Sequence, residues 1–158
     1  MENKKKKNVL YLILYILSIL VVYVSSLQSG DVSANESSWM TNFFFQLITS
    51  LDFLKIDIDY DVLHNLVRKV FGHYGWFFVI GVFGAATFIS FMQPKKRIWV
   101  SLAIGAFVAI TAELMQFFAI NRGPMASDML INFSGYFTST LLCFAILSIR
   151  NQQLSQKK

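Results

Sequence analysis

The stretch that decides the fold runs from Glu113 to Gly135, E-L-M-Q-F-F-A-I-N-R-G-P-M-A-S-D-M-L-I-N-F-S-G. It joins two long apolar runs through one turn holding Gly123 and Pro124. It also gathers Glu113, Gln116, Arg122, Asp128 and Asn132. Glu113, Gln116 and Asn132 fall inside stretches that otherwise read as membrane-buried. Polar groups in hydrocarbon are expensive, and an intramembrane ionisable residue marks a functional site by default.

Working outward, the chain is 158 residues long, a size expected of a single domain over residues 1–158. It is 55% hydrophobic, above the level of soluble domains, so the composition points to a membrane protein. The expected fold class is an all-α membrane protein with four transmembrane helices at about 9–27, 74–93, 98–120 and 128–149. Gly81, Gly84 and Ala85, and then Gly105, Ala109 and Ala112, give the second and third spans small faces for close helix contact. Gln28 to Ser38 reads as loop. Trp39, Phe43, Leu47 and Leu51 then recur at helical spacing and predict a short amphipathic helix in the membrane interface.

Asp57-Ile-Asp-Tyr-Asp61 opens like a calcium loop, but Val62 replaces the glycine at position six and Arg68 the glutamate at position twelve. Calcium is excluded, and Asp61 is expected to cap a following helix. The lone cysteine, Cys143, sits in an apolar run and reads as a small core or lipid-facing residue. No metal or cofactor is expected.

The net charge of +5 does not suggest nucleic acid, because the basic residues flank the apolar runs. Lys4 to Lys7, Lys95, Lys96, Arg97, Arg150, Lys157 and Lys158, ten of the fourteen, fall on the side of both termini. Lys55, Arg68, Lys69 and Arg122 fall on the other. The positive-inside rule therefore places both termini in the cytoplasm.

That topology brings Arg68, Lys69 and His73 to the outer end of the second span. Glu113 and Gln116 share a face of the third span, and Asp128 and Asn132 a face of the fourth. Ser25, Ser26 and Gln28 end the first span at the same level. Each residue alone has an ordinary reading, such as snorkelling for the arginines or helix capping for Asp128. Glu113 is harder to set aside, because it lies about 10 Å inside its span at ~1.5 Å per residue. Arg122, Arg68, Lys69 and His73 are its candidate partners. The expected ligand-binding set is Arg68, Lys69, His73, Glu113, Gln116, Arg122, Asp128 and Asn132, with His73, Glu113 and Asp128 as candidate catalytic groups.

Arg68-Lys-Val-Phe-Gly-His73-Tyr, Glu113-Leu-Met-Gln116 and Arg122-x5-Asp128-x3-Asn132-x2-Gly135 together resemble the VanZ-like family. A glycine, Gly72, precedes the histidine where alanine is commoner in the family. The resemblance implies a small multi-pass protein of the bacterial cytoplasmic membrane. Its namesake is associated with resistance to teicoplanin-type glycopeptides, so antibiotic resistance is the family expectation here.

Three functions suit these residues. The first is an outer pocket binding a membrane lipid, a lipid-linked envelope precursor or a lipoglycopeptide antibiotic, with the arginines on phosphate or carboxylate. The second is an enzyme of phosphoester or acyl chemistry on a lipid-linked envelope substrate, with His73 or Glu113 as base or nucleophile. The third is an assembly partner whose polar cluster serves as helix glue. Oligomeric state is left open by the sequence.

Overall fold

The computed structural model describes residues 2–51 and 58–156. Lys55, Asp57, Lys157 and Lys158, used in the sequence reading, lie outside the described residues. Six α-helices account for most of the described residues. They are α1 (Glu2–Ser26), α2 (Gly30–Ser50), α3 (Tyr60–Val67), α4 (Trp76–Phe91), α5 (Pro94–Met115) and α6 (Ala126–Gln156). A π-helical segment, Arg68–Gly75, fuses α3 to α4, and a 3-10 turn, Gln116–Phe118, extends α5.

Four helical stretches are long and apolar enough to cross a membrane: Lys5–Ser26, Tyr60–Phe91, Pro94–Phe118 and Ala126–Arg150. The chain is thus an all-α, multi-pass membrane protein. The second stretch is longer than the sequence suggests. It has 32 residues, or about 48 Å at ~1.5 Å per residue, against a hydrocarbon core of about 30 Å.

The spans pack through small residues, as hydrocarbon surroundings favour. Tyr136 of α6 is fully buried, with Gly84 of α4 and Gly105 of α5 against its ring. A Cβ at either glycine would overlap that ring. The Tyr136 hydroxyl stands 3.1 Å from Ser101 Oγ and 3.2 Å from the Tyr15 hydroxyl of α1. One side chain therefore ties together elements from all four spans. The inward face of α1 is Tyr15, Ser18, Val22 and Ser26, spaced three or four apart.

Three boundaries differ from the sequence reading. Gln28 to Ser38 is not a loop, because α2 begins at Gly30, with Ser29 as its N-cap accepting from the Val32 N–H at 3.4 Å. Serine and asparagine are poor formers in a helix interior, and tertiary contacts override them here. Thr41 of α2 is fully buried, 3.1 Å from His64 Nδ1 of α3. The N-cap of α3 is Asp59 rather than Asp61, since Asp59 Oδ1 accepts from the N–H groups of Asp61 at 2.8 Å and Val62 at 3.1 Å. Helix also continues unbroken through Arg68, Lys69 and His73, so these three belong to the second span itself.

Candidate functional site

The π-helical segment decides which side chains meet. In an α-helix a residue five positions on points well away from the first. The wider π turn, bonded i to i+5, brings it close to the same face. Arg68 and His73, five apart, accordingly line one cavity. Gly72 lines it as well, so no side chain at that position fills the space between them.

That cavity has a volume of about 370 Å³ and lies at the end of the bundle away from both termini. Its polar walls are Ser25 and Ser26 of α1, Gln28, then Ser33, Glu36 and Ser37 of α2, Arg68 and His73 of the π segment, Glu113 and Gln116 of the third span, Arg122, and Asn132 of α6. Six of the eight residues expected to bind ligand share this one wall. Lys69 and Asp128 stand behind it and reach the cavity through His73.

At its floor is a buried cluster. Asn132 Nδ2 donates to Glu113 Oε1 at 3.1 Å, and Asn132 Oδ1 stands 3.1 Å from His73 Nδ1. His73 Nδ1 also lies 3.5 Å from Glu113 Oε1. The far side of the ring, Nε2, lies 3.5 Å from Asp128 Oδ2. Asp128 in turn accepts from Ser127 Oγ at 3.1 Å and faces Lys69 Nζ at 3.8 Å. Asp128 sits in the first turn of α6, where the helix dipole favours a carboxylate. Glu113 Oε2 accepts from the Met125 N–H at 3.4 Å, tying the third span to the start of α6.

The sequence reading named four cations as candidate partners for Glu113. His73 fills that place. Arg122 does not: its Nε donates to Gln116 Oε1 and its Nη1 to the Ser25 carbonyl, each at 3.1 Å. Neither Arg122 nor Arg68 forms an ion pair among the described residues. Burial and the neighbouring Arg68 pull Arg122 below the usual arginine range, while Glu113, Asp128 and Glu36 oppose that shift. A guanidinium is not deprotonated in proteins, so the site carries two adjacent fixed positive charges.

The loop after α5 places Arg122. Asn121 holds a left-handed backbone, φ 55°, which asparagine tolerates better than most residues. The Gly30 N–H donates to the Ile120 carbonyl at 2.9 Å. A Cβ at Gly30 would strike the Asn121 carbonyl, so glycine is needed for this approach. The start of α2 is thereby pinned beside Arg122.

The sequence reading missed α2 as a wall of the site, and missed His64, which docks it. His64 Nε2 is 3.3 Å from Ser37 Oγ, and the Tyr60 hydroxyl donates to Asn42 Oδ1 at 2.8 Å. The readable signal was Ser29 followed by Gly30 and Asp31, a helix start with an acid in its first turn. Among the described residues no group of three or more His, Cys, Asp or Glu is arranged to hold a metal ion.

Comparison with curated proteins and with solved structures gives no match. A family model described as VanZ/LLP1 matches residues 9–148, most of the chain and every residue of the cluster. The chain therefore belongs to the VanZ/LLP1 family.

Proposed function

We propose that this protein binds the anionic headgroup of a membrane amphiphile in the cavity between α1, α2 and the π segment. The observation that carries this reading is the pair Arg68 and Arg122, adjacent, partly buried and, among the described residues, without an ion-pair partner. Two like charges held together this way are stabilised by a phosphate or carboxylate, which guanidinium groups bind through paired hydrogen bonds. Glu113 and Asp128 contact Asn132, His73 and Lys69, and Glu36, also in the cavity wall, accepts from Gln28 Nε2 at 3.1 Å, so none of the three holds an arginine in an ion pair among the described residues. The ten-to-four split of basic residues supports a cavity at the outer leaflet of the bacterial cytoplasmic membrane. Trp39, Phe43 and Leu47, exposed along one side of α2, suit a helix lying in the interface there. The ligand class is then a lipid, a lipid-linked envelope precursor or a lipoglycopeptide of the teicoplanin type. Retaining such a ligand is the route by which the protein affects glycopeptide resistance. Equilibrium binding of a long-chain alkyl phosphate to purified protein in neutral-lipid nanodiscs tests this. Saturable binding lost in Arg68→Gln and Arg122→Gln supports it, and binding indifferent to both removes it.

One observation favours a second reading, an enzyme acting on a lipid-linked phosphoester or acyl group. His73 is bracketed by Asp128 on one nitrogen and by Asn132 and Glu113 on the other, an arrangement that orients an imidazole for proton transfer. Release of product from a labelled lipid intermediate, lost in His73→Gln with binding retained, would select this reading.

A further inference from the structure

Beside the polar cavity lies a second depression of about 250 Å³. Its walls are Phe44 and Ile48 of α2, Leu63, Leu66 and Val67 of α3, and Val70 and Phe71 of the π segment, every one apolar. Val67 and Phe71 line both spaces, so the groove and the cavity adjoin. The Phe71 ring stacks on Phe44, with centroids 5.5 Å apart and planes 23° apart, where the two spaces meet.

Bulk lipid tails do not explain this groove. Counted back from Phe91, about 20 residues of helix, enough for the hydrocarbon core, end near Gly72. The groove residues of α3 and the π segment lie beyond that point, in the part of the 32-residue helical stretch that exceeds the hydrocarbon core. Bare apolar surface at that depth is unfavourable unless something apolar covers it. The side of α2 facing α3 closes the groove only in part: Phe44 and Ile48 wall it, while Thr41, Ser37 and Asn42 are taken up by His64 and Tyr60.

We infer that the groove between α2 and α3 holds the first part of the hydrocarbon chain of the same molecule whose anionic headgroup sits against Arg68 and Arg122. This rests on the headgroup reading above and extends it. The site is bipartite, charged at one end and dry at the other, and it lifts one chain out of the bilayer plane. Molecules with the headgroup alone, such as inorganic phosphate, occupy half of it. A lipid lacking an anionic group has no reason to leave the bilayer for it.

The test is photo-crosslinking in phosphatidylcholine nanodiscs, with a long-chain alkyl phosphate carrying a diazirine near the phosphate end of its chain. Adducts are mapped by peptide mass spectrometry. The expected adducts concentrate on Phe44, Ile48, Leu66 and Phe71, and they disappear in the Arg68→Gln, Arg122→Gln double variant. Val70→Trp fills the groove from a half-exposed position that folding tolerates. It should lower those adducts roughly tenfold through overpacking, while arginine-dependent competition by inorganic phosphate persists. Saturable, arginine-dependent binding with adducts spread over bilayer-facing side chains such as Trp99 and Phe107 would overturn the groove and leave the headgroup reading standing. Absence of saturable binding removes both.

Discussion

Asn132 Nδ2 donates to Glu113 Oε1 at 3.1 Å, and its Oδ1 stands 3.1 Å from His73 Nδ1. An ionised carboxylate only accepts, so with Glu113 ionised the amide oxygen turns to the imidazole and the Nδ1 nitrogen carries the hydrogen. Three spans converge on this one side chain. Asn132→Leu keeps the size but strands the Nδ1–H of His73 and one oxygen of Glu113. A buried group left unsatisfied costs about 1–3 kcal/mol. The variant should unfold at a clearly lower temperature than wild type in detergent, followed by size-exclusion after heating. An unchanged midpoint would mean that water already satisfies the cluster.

Glu113→Gln separates a functional carboxylate from a structural one. Glu113 is 1% exposed, yet its partners are an amide, a backbone N–H and a histidine, not an arginine. A glutamine side-chain oxygen can keep the Asn132 contact. Membrane abundance should therefore stay near wild type, well short of the ~3–5 kcal/mol loss seen when a buried ion pair is broken. Binding of alkyl phosphate or glycopeptide tolerance should fall. A quantitative membrane blot beside a susceptibility assay gives both readouts. Loss of protein in Glu113→Gln, restored by adding Arg122→Gln, would show an ion pair and contradict the geometry.

Gly105→Ala tests the packing on Tyr136. The added Cβ would enter the Tyr136 ring, and contacts with Ser101 and Tyr15 keep that ring from swinging aside. Overpacking of this kind costs about 1–3 kcal/mol. Thermal stability should drop, and Tyr136→Leu in the same chain should recover part of it. Equal losses that simply add in the double variant would show that the two residues do not meet.

How much was legible beforehand follows from the forces involved. The four spans could be read because hydrocarbon excludes charge, so each apolar run announces itself without help from its neighbours. Glu113, Gln116, Asp128 and Asn132 could be grouped because i, i+3 and i, i+4 spacing fixes a helix face. Arg122 could be placed in the right turn but not given the right partner, since sequence does not reveal that Gln116 and the Ser25 carbonyl take it first. The first part of α2, before Trp39, stayed hidden because Ser33, Asn35, Ser37 and Ser38 argue against helix locally. Contacts with His64 and the 119–125 loop, distant in sequence, decide the matter. The π segment left no pattern at all beyond its two glycines, Gly72 and Gly75.

The last prediction concerns which face of the membrane the cavity opens to. Four crossing helices place the start of α1 and the end of α6 at one end of the bundle, with α2 and the 119–125 loop at the other. Basic residues favour the cytoplasm, and eight of the eleven among the described residues lie at the end of the termini. Cysteine labelling in intact cells reads the answer directly. The background is Cys143→Ser, because the native thiol is partly exposed in α6. Asn35→Cys, on an exposed position of α2, should react with a membrane-impermeant maleimide. Gln153→Cys, exposed near the end of α6, should react only after the cells are opened. The reverse pattern would turn the cavity to the cytoplasm. Lipoglycopeptides and exported wall precursors would then be out of reach, and the ligand would have to be an inner-leaflet lipid.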